Sequence, residues 1–147
     1  MRIIFLLWGI VLFGCGPGSD GKTFENLNSA DRVKFTKYLI QGKAIYKQYC
    51  INCHQTNGEG LRKLIPPLAG SDYLEDNQKE VACLIKYGAK IPIKVNGVTY
   101  RPTMPAHTPL THLEIAEVIT YINNSWGNQL GFVDAKKINK LLTNCIN

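Results

Sequence analysis

The pentapeptide Cys50-Ile51-Asn52-Cys53-His54 narrows most what this chain can fold into. It closes an expected helix, from about Asp31 to Cys50, on which Tyr38, Gly42, Ile45, Tyr46 and Tyr49 share one face while Lys43 and Lys47 share another. Two helical thiols at this spacing lie on one side, separated by about 4.5 Å along the axis. They can bond both vinyl groups of one haem. The adjacent histidine is then held where an imidazole nitrogen reaches the iron, so attachment and axial ligation become one local event. A thioredoxin-type redox pair would follow a strand in a βαβ pattern, and a structural zinc site would want a second ligand pair at finger-like spacing. Neither context is present.

The chain has 147 residues and five cysteines, an odd number that cannot all pair within one molecule. At the N-terminus Arg2 precedes an uncharged apolar run from Ile3 to Phe13, about half the ~20 residues that a membrane-spanning helix needs. This reads as a secretory signal over residues 1–14. The run ends in Leu12-Phe13-Gly14-Cys15, which resembles a bacterial lipobox and implies cleavage before Cys15 and acylation of that residue. Several acyl chains, each buried methylene contributing about 0.8 kcal/mol, would anchor the exported protein to a bacterial membrane on its periplasmic side. Residues 15–30 have too little apolar surface to repay ordering and are expected to be a tether.

A folded part of about 115 residues builds a modest core, which a covalent or cofactor reinforcement would strengthen. Gly42 costs its helix about 1 kcal/mol relative to alanine, and close approach of another helix is the expected compensation. The partner is expected near the other end. Thr111-His112-Leu113-Glu114 fits a capping box, Leu110 and Ile115 a hydrophobic staple, and Ile115, Val118, Ile119 and Ile122 an apolar stripe, with Gly127 as the stop after Trp126. Between these helices lie a short helix, about Asn77 to Tyr87, and a hairpin. The hairpin signal is alternation in Ile93–Val95 and Val98–Tyr100 around the type I′ dipeptide Asn96-Gly97. An amphipathic segment from about Asp134 to Leu142 ends the chain.

Apart from the initiator, the only methionine is Met104, in Pro102-Thr103-Met104-Pro105. The prolines restrict the backbone and could hold the thioether against the distal face of a haem, although a methionine is also ordinary core filler. His107 and His112 are alternative ligands. His112 is more simply a surface residue at a helix N-terminus, and His107 a loop residue near the haem edge.

Residues from about 33 to 127 resemble a monohaem class I cytochrome c. Gly42 and Tyr46 stand eight and four residues before Cys50, where that family places the glycine and aromatic that pack on its C-terminal helix. Val118 and Tyr121 match the contact positions on that helix. Pro66 stands twelve residues after His54, where the family's proline carbonyl accepts a hydrogen bond from the ligand imidazole, and Leu68 matches a haem-packing leucine. The stretch from Val95 to Met104 and the ending Asn124-Ser125-Trp126-Gly127-Asn128 are similar to bacterial domains found with respiratory oxidases and dehydrogenases.

The resemblance implies an all-α fold, helices wrapped around one covalently bound haem c with a small hairpin, over residues 31–128. Residues 129–147 would be a C-terminal helical extension. It implies cofactor binding by Cys50, Cys53, His54, Met104, Pro66 and Leu68, with His54 and Met104 on the iron. Candidate lining residues are Leu64, Ile65, Leu68, Leu74, Leu84, Ile85, Ile91, Val98 and Leu110, each equally ordinary core. Tyr100 would reach a propionate or simply pack in its hairpin.

A His/Met pair leaves no open position on the iron and favours outer-sphere transfer of one electron at a time, so an electron carrier rather than an enzyme is expected. Such a carrier would serve respiratory or dehydrogenase partners. The alternatives are a haem enzyme or gas sensor in which Met104 dissociates, and a lipoprotein whose C-x-x-C pair is only a disulfide. The formal charge is +6, and Lys86, Lys90, Lys94 and Arg101 fall in a stretch without acids, whereas Asp72, Glu75, Asp76 and Glu80 cluster before it. The basic stretch would steer an acidic redox partner to a monomeric carrier, or is simply a solvated face. No nucleic-acid motif accompanies the charge. Of the cysteines, Cys15 is then assigned to lipid, Cys50 and Cys53 to haem. Cys83 and Cys145 remain as a disulfide or as two free thiols.

Overall fold

The computed structural model describes Phe24, residues 27–101 and residues 103–145. The expected signal, Cys15 and Pro102 lie outside the described residues. The first helix, α1, runs Ser29–Tyr49 because the Asn28 side chain accepts from the Asp31 backbone N–H at 2.9 Å, which places the start two residues before the expected one. Order also begins earlier than residue 31. Leu27 is buried, and the Phe24 ring of the expected tether lies 5.7 Å from that of Phe35 on α1.

The helix α2, Ile51–His54, follows directly, with Cys50 between it and α1. Next comes an unanticipated turn of helix, α3 (Asp72–Asp76), started by the Ser71 hydroxyl accepting from the Leu74 N–H. Helix α4 is Gln78–Tyr87, closed by Gly88 at φ 78°. Strands β1 (Ile93–Val95) and β2 (Val98–Tyr100) pair antiparallel with Val95 opposite Val98, and Asn96 and Gly97 both take the positive φ that a type I′ turn demands. Asn96 ties the hairpin to α3, its N–H donating to the Asp72 carboxylate at 2.7 Å.

Helix α5, His112–Asn123, has the expected capping box: the Thr111 hydroxyl accepts from the Glu114 N–H, and the Glu114 carboxylate accepts from the Thr111 N–H. Its end corrects the expectation. The helix stops at Asn123, before Gly127, because Asn124 and Ser125 side chains donate to the Thr120 and Tyr121 carbonyls and compete with the next helical N–H groups. α1 packs mainly on α5, with Gly42 at the crossing. Tyr38, Ile45 and Tyr46 are buried there as expected, whereas Tyr49 is exposed at the end of α1.

Helix α6, Ala135–Leu142, is capped by Asp134 and packs on α5 and α4. Val133, Ile138 and Leu142 enter the same core as Tyr46 and Ile119, so the C-terminal helical extension packs into the core of the domain. A disulfide between Cys83 on α4 and Cys145, with Cα atoms 5.7 Å apart, fastens this tail. The architecture is all-α with one two-stranded hairpin, as expected. Among the described residues no helix is long and apolar enough to cross a membrane.

Candidate functional site

The pentapeptide sits where α1 gives way to α2. Backbone bonds from Cys50 N–H to the Tyr46 carbonyl and from His54 N–H to the Cys50 carbonyl, both 2.9 Å, carry the helical course through it and keep both thiols and the imidazole on adjoining faces. Cys50 and Cys53 are free thiols, the first half-buried and the second exposed. Burial, followed by the neighbouring Cys53, pushes the Cys50 thiol up to about 12.

His54 is oriented from behind. Its Nδ1 lies 3.1 Å from the Pro66 carbonyl, and since a carbonyl only accepts, Nδ1 carries the proton and Nε2 keeps its lone pair. Burial lowers the imidazole's affinity for a second proton, against the opposing pull of the Pro66 carbonyl. The Pro66 carbonyl is brought near by a tight fold of the 55–70 segment. Gly60, at φ 69°, leaves no room for a side chain, because a β-carbon there would lie 2.6 Å from the Pro66 oxygen.

In front of His54 opens a cleft with two lobes, concave and apolar as ligand sites are. Cys50, His54, Pro66, Leu84, Ile93 and Met104 line both lobes, so thiol, imidazole and thioether face one space. The walls are otherwise mainly hydrocarbon: Leu68, Leu74 and Ile85 in one lobe, Ile65 and Ile91 in the other. A flat apolar macrocycle with two thiol-reactive edges and an iron demanding nitrogen and sulfur donors fits this donor set and these walls.

Met104 is half-buried against the core and is placed by more than proline stiffness. Its carbonyl accepts from the Ala89 N–H at 3.0 Å, and Gly88 makes room, since a β-carbon there would lie 2.9 Å from the Met104 oxygen. Three expected lining residues are elsewhere: Leu64 is 56% exposed on the 61–65 turn, Leu110 is in the core below α5, and Val98, next to the hairpin turn, does not line the cleft. Tyr100 is buried along one lobe, with its hydroxyl donating to the Arg62 carbonyl.

Sequence reasoning missed the wall made by Tyr49 and Val95, and it gave Tyr46 only a helix-packing role although it also lines the cleft. The period-2 pattern of β1 signals the inward side of Val95, but nothing local signals Tyr49, which meets the ring edge of His107 at 5.7 Å. His107 lines the same lobe, while His112 is exposed at the α5 N-terminus, away from the cleft. Lys86 is also not free: its Nζ donates to the Thr108 and Leu110 carbonyls at 2.7 and 2.8 Å.

Comparison with known proteins agrees with this arrangement. Residues 39–126 match the family model described as cytochrome c. The chain is 37% identical over 101 residues to cytochrome c-552 of Thermus thermophilus, covering 66% of this chain and 72% of that protein. It is 30% identical over 127 residues to the cytochrome c subunit of the quinone-dependent alcohol dehydrogenase of Gluconobacter oxydans, and 32% identical over 92 residues to the gluconate 2-dehydrogenase cytochrome c subunit of Pantoea cypripedii. These matches cover 84% and 59% of this chain but only 25% and 20% of those subunits. The thiol pair, the oriented imidazole and the apolar cleft therefore stand in a monohaem class I fold, and the chain belongs to the cytochrome c family of electron carriers that hold haem c covalently.

Proposed function

We propose that this chain carries single electrons between respiratory or dehydrogenase partners, with Cys50 and Cys53 as the haem attachment points and His54 and Met104 as the axial ligands. The observation that carries the reading is the protonated Nδ1 of His54 on the Pro66 carbonyl, which frees Nε2 in a cleft that Met104 also lines. Bound haem c supplies a reversible one-electron iron couple. The chain supplies the rest. His54 and Met104 would hold the iron from both sides and leave no position for an exogenous substrate, and the Pro66 carbonyl would raise the basicity of His54. Leu68, Leu74 and Leu84 exclude water, which limits the rearrangement of surroundings when the charge changes.

Acylation at Cys15 would hold this monomer on the periplasmic side of a bacterial membrane, within reach of membrane-bound partners. Exposed Arg101 lines the cleft and exposed Lys90 stands between its lining residues Ala89 and Ile91, and with Lys94 on the outer side of β1 these charges favour an acidic docking surface. Absorption spectra of the mature protein in both redox states, compared with Met104→Ala, test the assignment. Loss of the low-spin ferric spectrum on substitution is expected; its retention overturns Met104 as ligand, and a high-spin ferric wild type argues for a ligand-binding enzyme or sensor.

A further inference from the structure

Two residues beyond α5, Trp126 and Asn128, hold both limbs of the loop that orients His54. Trp126 and Gly127 take positive φ values of 56° and 89°, turning the chain back toward the 55–70 segment. For tryptophan this is an uncommon backbone conformation with a steric cost, so the placement of its ring must compensate. The indole Nε1 donates to the Thr56 carbonyl at 3.1 Å, and the ring lies on Gly58 so closely that a β-carbon there would be 2.5 Å from it. Asn128 holds the other limb. Its Nδ2 donates to the Leu68 and Ile122 carbonyls and its Oδ1 accepts from the Gly70 N–H, all at 2.9 Å.

The two limbs are also joined to each other, since the Gly58 carbonyl accepts from the Leu68 and Ala69 N–H groups at 2.7 and 3.0 Å. Pro66 lies between the gripped positions. Its carbonyl therefore has its place set by contacts on Thr56 and Gly58 before it and on Leu68 and Gly70 after it. α5 provides the fixed base, because Tyr46 of α1 packs on both Tyr121 and Trp126 with centroids 5.5 and 5.2 Å away.

We infer that Trp126 and Asn128 are positioning residues for the axial imidazole: they hold the Pro66 carbonyl on the His54 Nδ1–H and thereby set ligand basicity and reduction potential. This rests on His54 being the ligand. A well-held carbonyl draws the Nδ1 proton, makes the imidazole a stronger donor and favours the ferric state. Loosening the loop weakens that donation, so the potential rises. The same loosening lets solvent reach the Nδ1 proton more often. Loss of one loop-holding hydrogen bond, about 1 kcal/mol, corresponds to several-fold faster exchange by local opening, and loss of the three made by Asn128 to tenfold or more.

The test uses full-length holoprotein carrying Trp126→Phe, Asn128→Ala or, as a control, Ile138→Ala. Ile138 is wholly buried on α6, which packs on α5 and α4, and it makes none of the hydrogen bonds that hold the loop, so its truncation costs stability without this effect. Reduction potentials and, in the ferrous protein, exchange of the His54 Nδ1 proton by NMR are measured on each. The expected result is a raised potential and faster exchange in Trp126→Phe and Asn128→Ala, with the low-spin spectrum kept, and wild-type values of both in Ile138→Ala. Wild-type values in the first two, or equal shifts in all three, overturn the positioning role. Failure of the ligand assignment reads differently: His54→Ala would then keep the wild-type spectrum.

Discussion

Gly42 and Glu117 touch through backbone alone: a β-carbon built on Gly42 would lie 2.1 Å from the Glu117 carbonyl oxygen and 2.7 Å from the Tyr121 β-carbon. The crossing of α1 and α5 is thus set by a missing side chain, and it fixes where α1 ends and delivers Cys50. Alanine at 42 would gain about 1 kcal/mol in helix propensity, but it must push two backbones apart, at about 1–3 kcal/mol or more. With an approach as short as 2.1 Å the cost lies at the upper end of that range, so Gly42→Ala is expected to lower the stability of the holoprotein by about 2 kcal/mol in denaturant titration. Equal or greater stability would mean that the two helices do not meet this closely.

How much of this was readable beforehand depends on how far apart in sequence the cooperating groups are. The Thr111–Glu114 box and the Asn96-Gly97 turn are codes written within a few residues, and each is found at its expected place. The Trp126 bond to Thr56 spans 70 residues and the Asn128 bond to Leu68 spans 60, and no periodicity registers such pairs. The sequence places the end of α5 too late for a related reason. Glycine at 127 is a conspicuous stop, yet Asn124 and Ser125 intercept the last carbonyls first. Spacing alone does not decide the Cys83–Cys145 pairing, because it does not show that α6 folds back onto α4.

Asp134 does two jobs that substitution can separate. It caps α6 through the Lys136 N–H at 2.7 Å and forms an ion pair with Lys34 of α1. The hydrogen bond from Lys34, aided by the Lys136 backbone, holds its carboxyl below the ordinary 3.8, and the same bond raises Lys34 above 10.5. The aspartate contribution is complete above 3.8 and is lost as pH falls through the depressed folded value; the lysine contribution is complete below 10.5 and is lost as pH rises through the raised folded value. Asp134→Asn keeps an oxygen for the cap and removes the pair, a loss of at most about 1 kcal/mol for so exposed a pair. Asp134→Ala removes both and should cost about 1 kcal/mol more. In stability measured against pH, the gap between wild type and the asparagine variant should be flat between those limits and close outside them; a gap that persists at low pH would assign the loss to the cap.

Docking charge can be tested in the same residue-by-residue way. The basic stretch has four members in sequence, but Lys86 is committed to the Thr108 and Leu110 carbonyls, so reversing it would damage the fold beneath the docking face. Lys94 stands on β1, whose turn is bonded to the Asp72 carboxylate, so its field is partly offset. Lys90 is exposed beside Ile91, which is 70% exposed at the cleft mouth. Lys90→Glu should accordingly slow electron transfer to an acidic partner more than Lys94→Glu does, by up to about tenfold at low ionic strength. Raising the salt to about 0.15 M shortens the screening length to about 8 Å and should bring both variants toward the wild-type rate. Stopped-flow rates across a salt series decide it: rates that match wild type at low salt, or a deficit that salt leaves unchanged, would remove these lysines from the docking face.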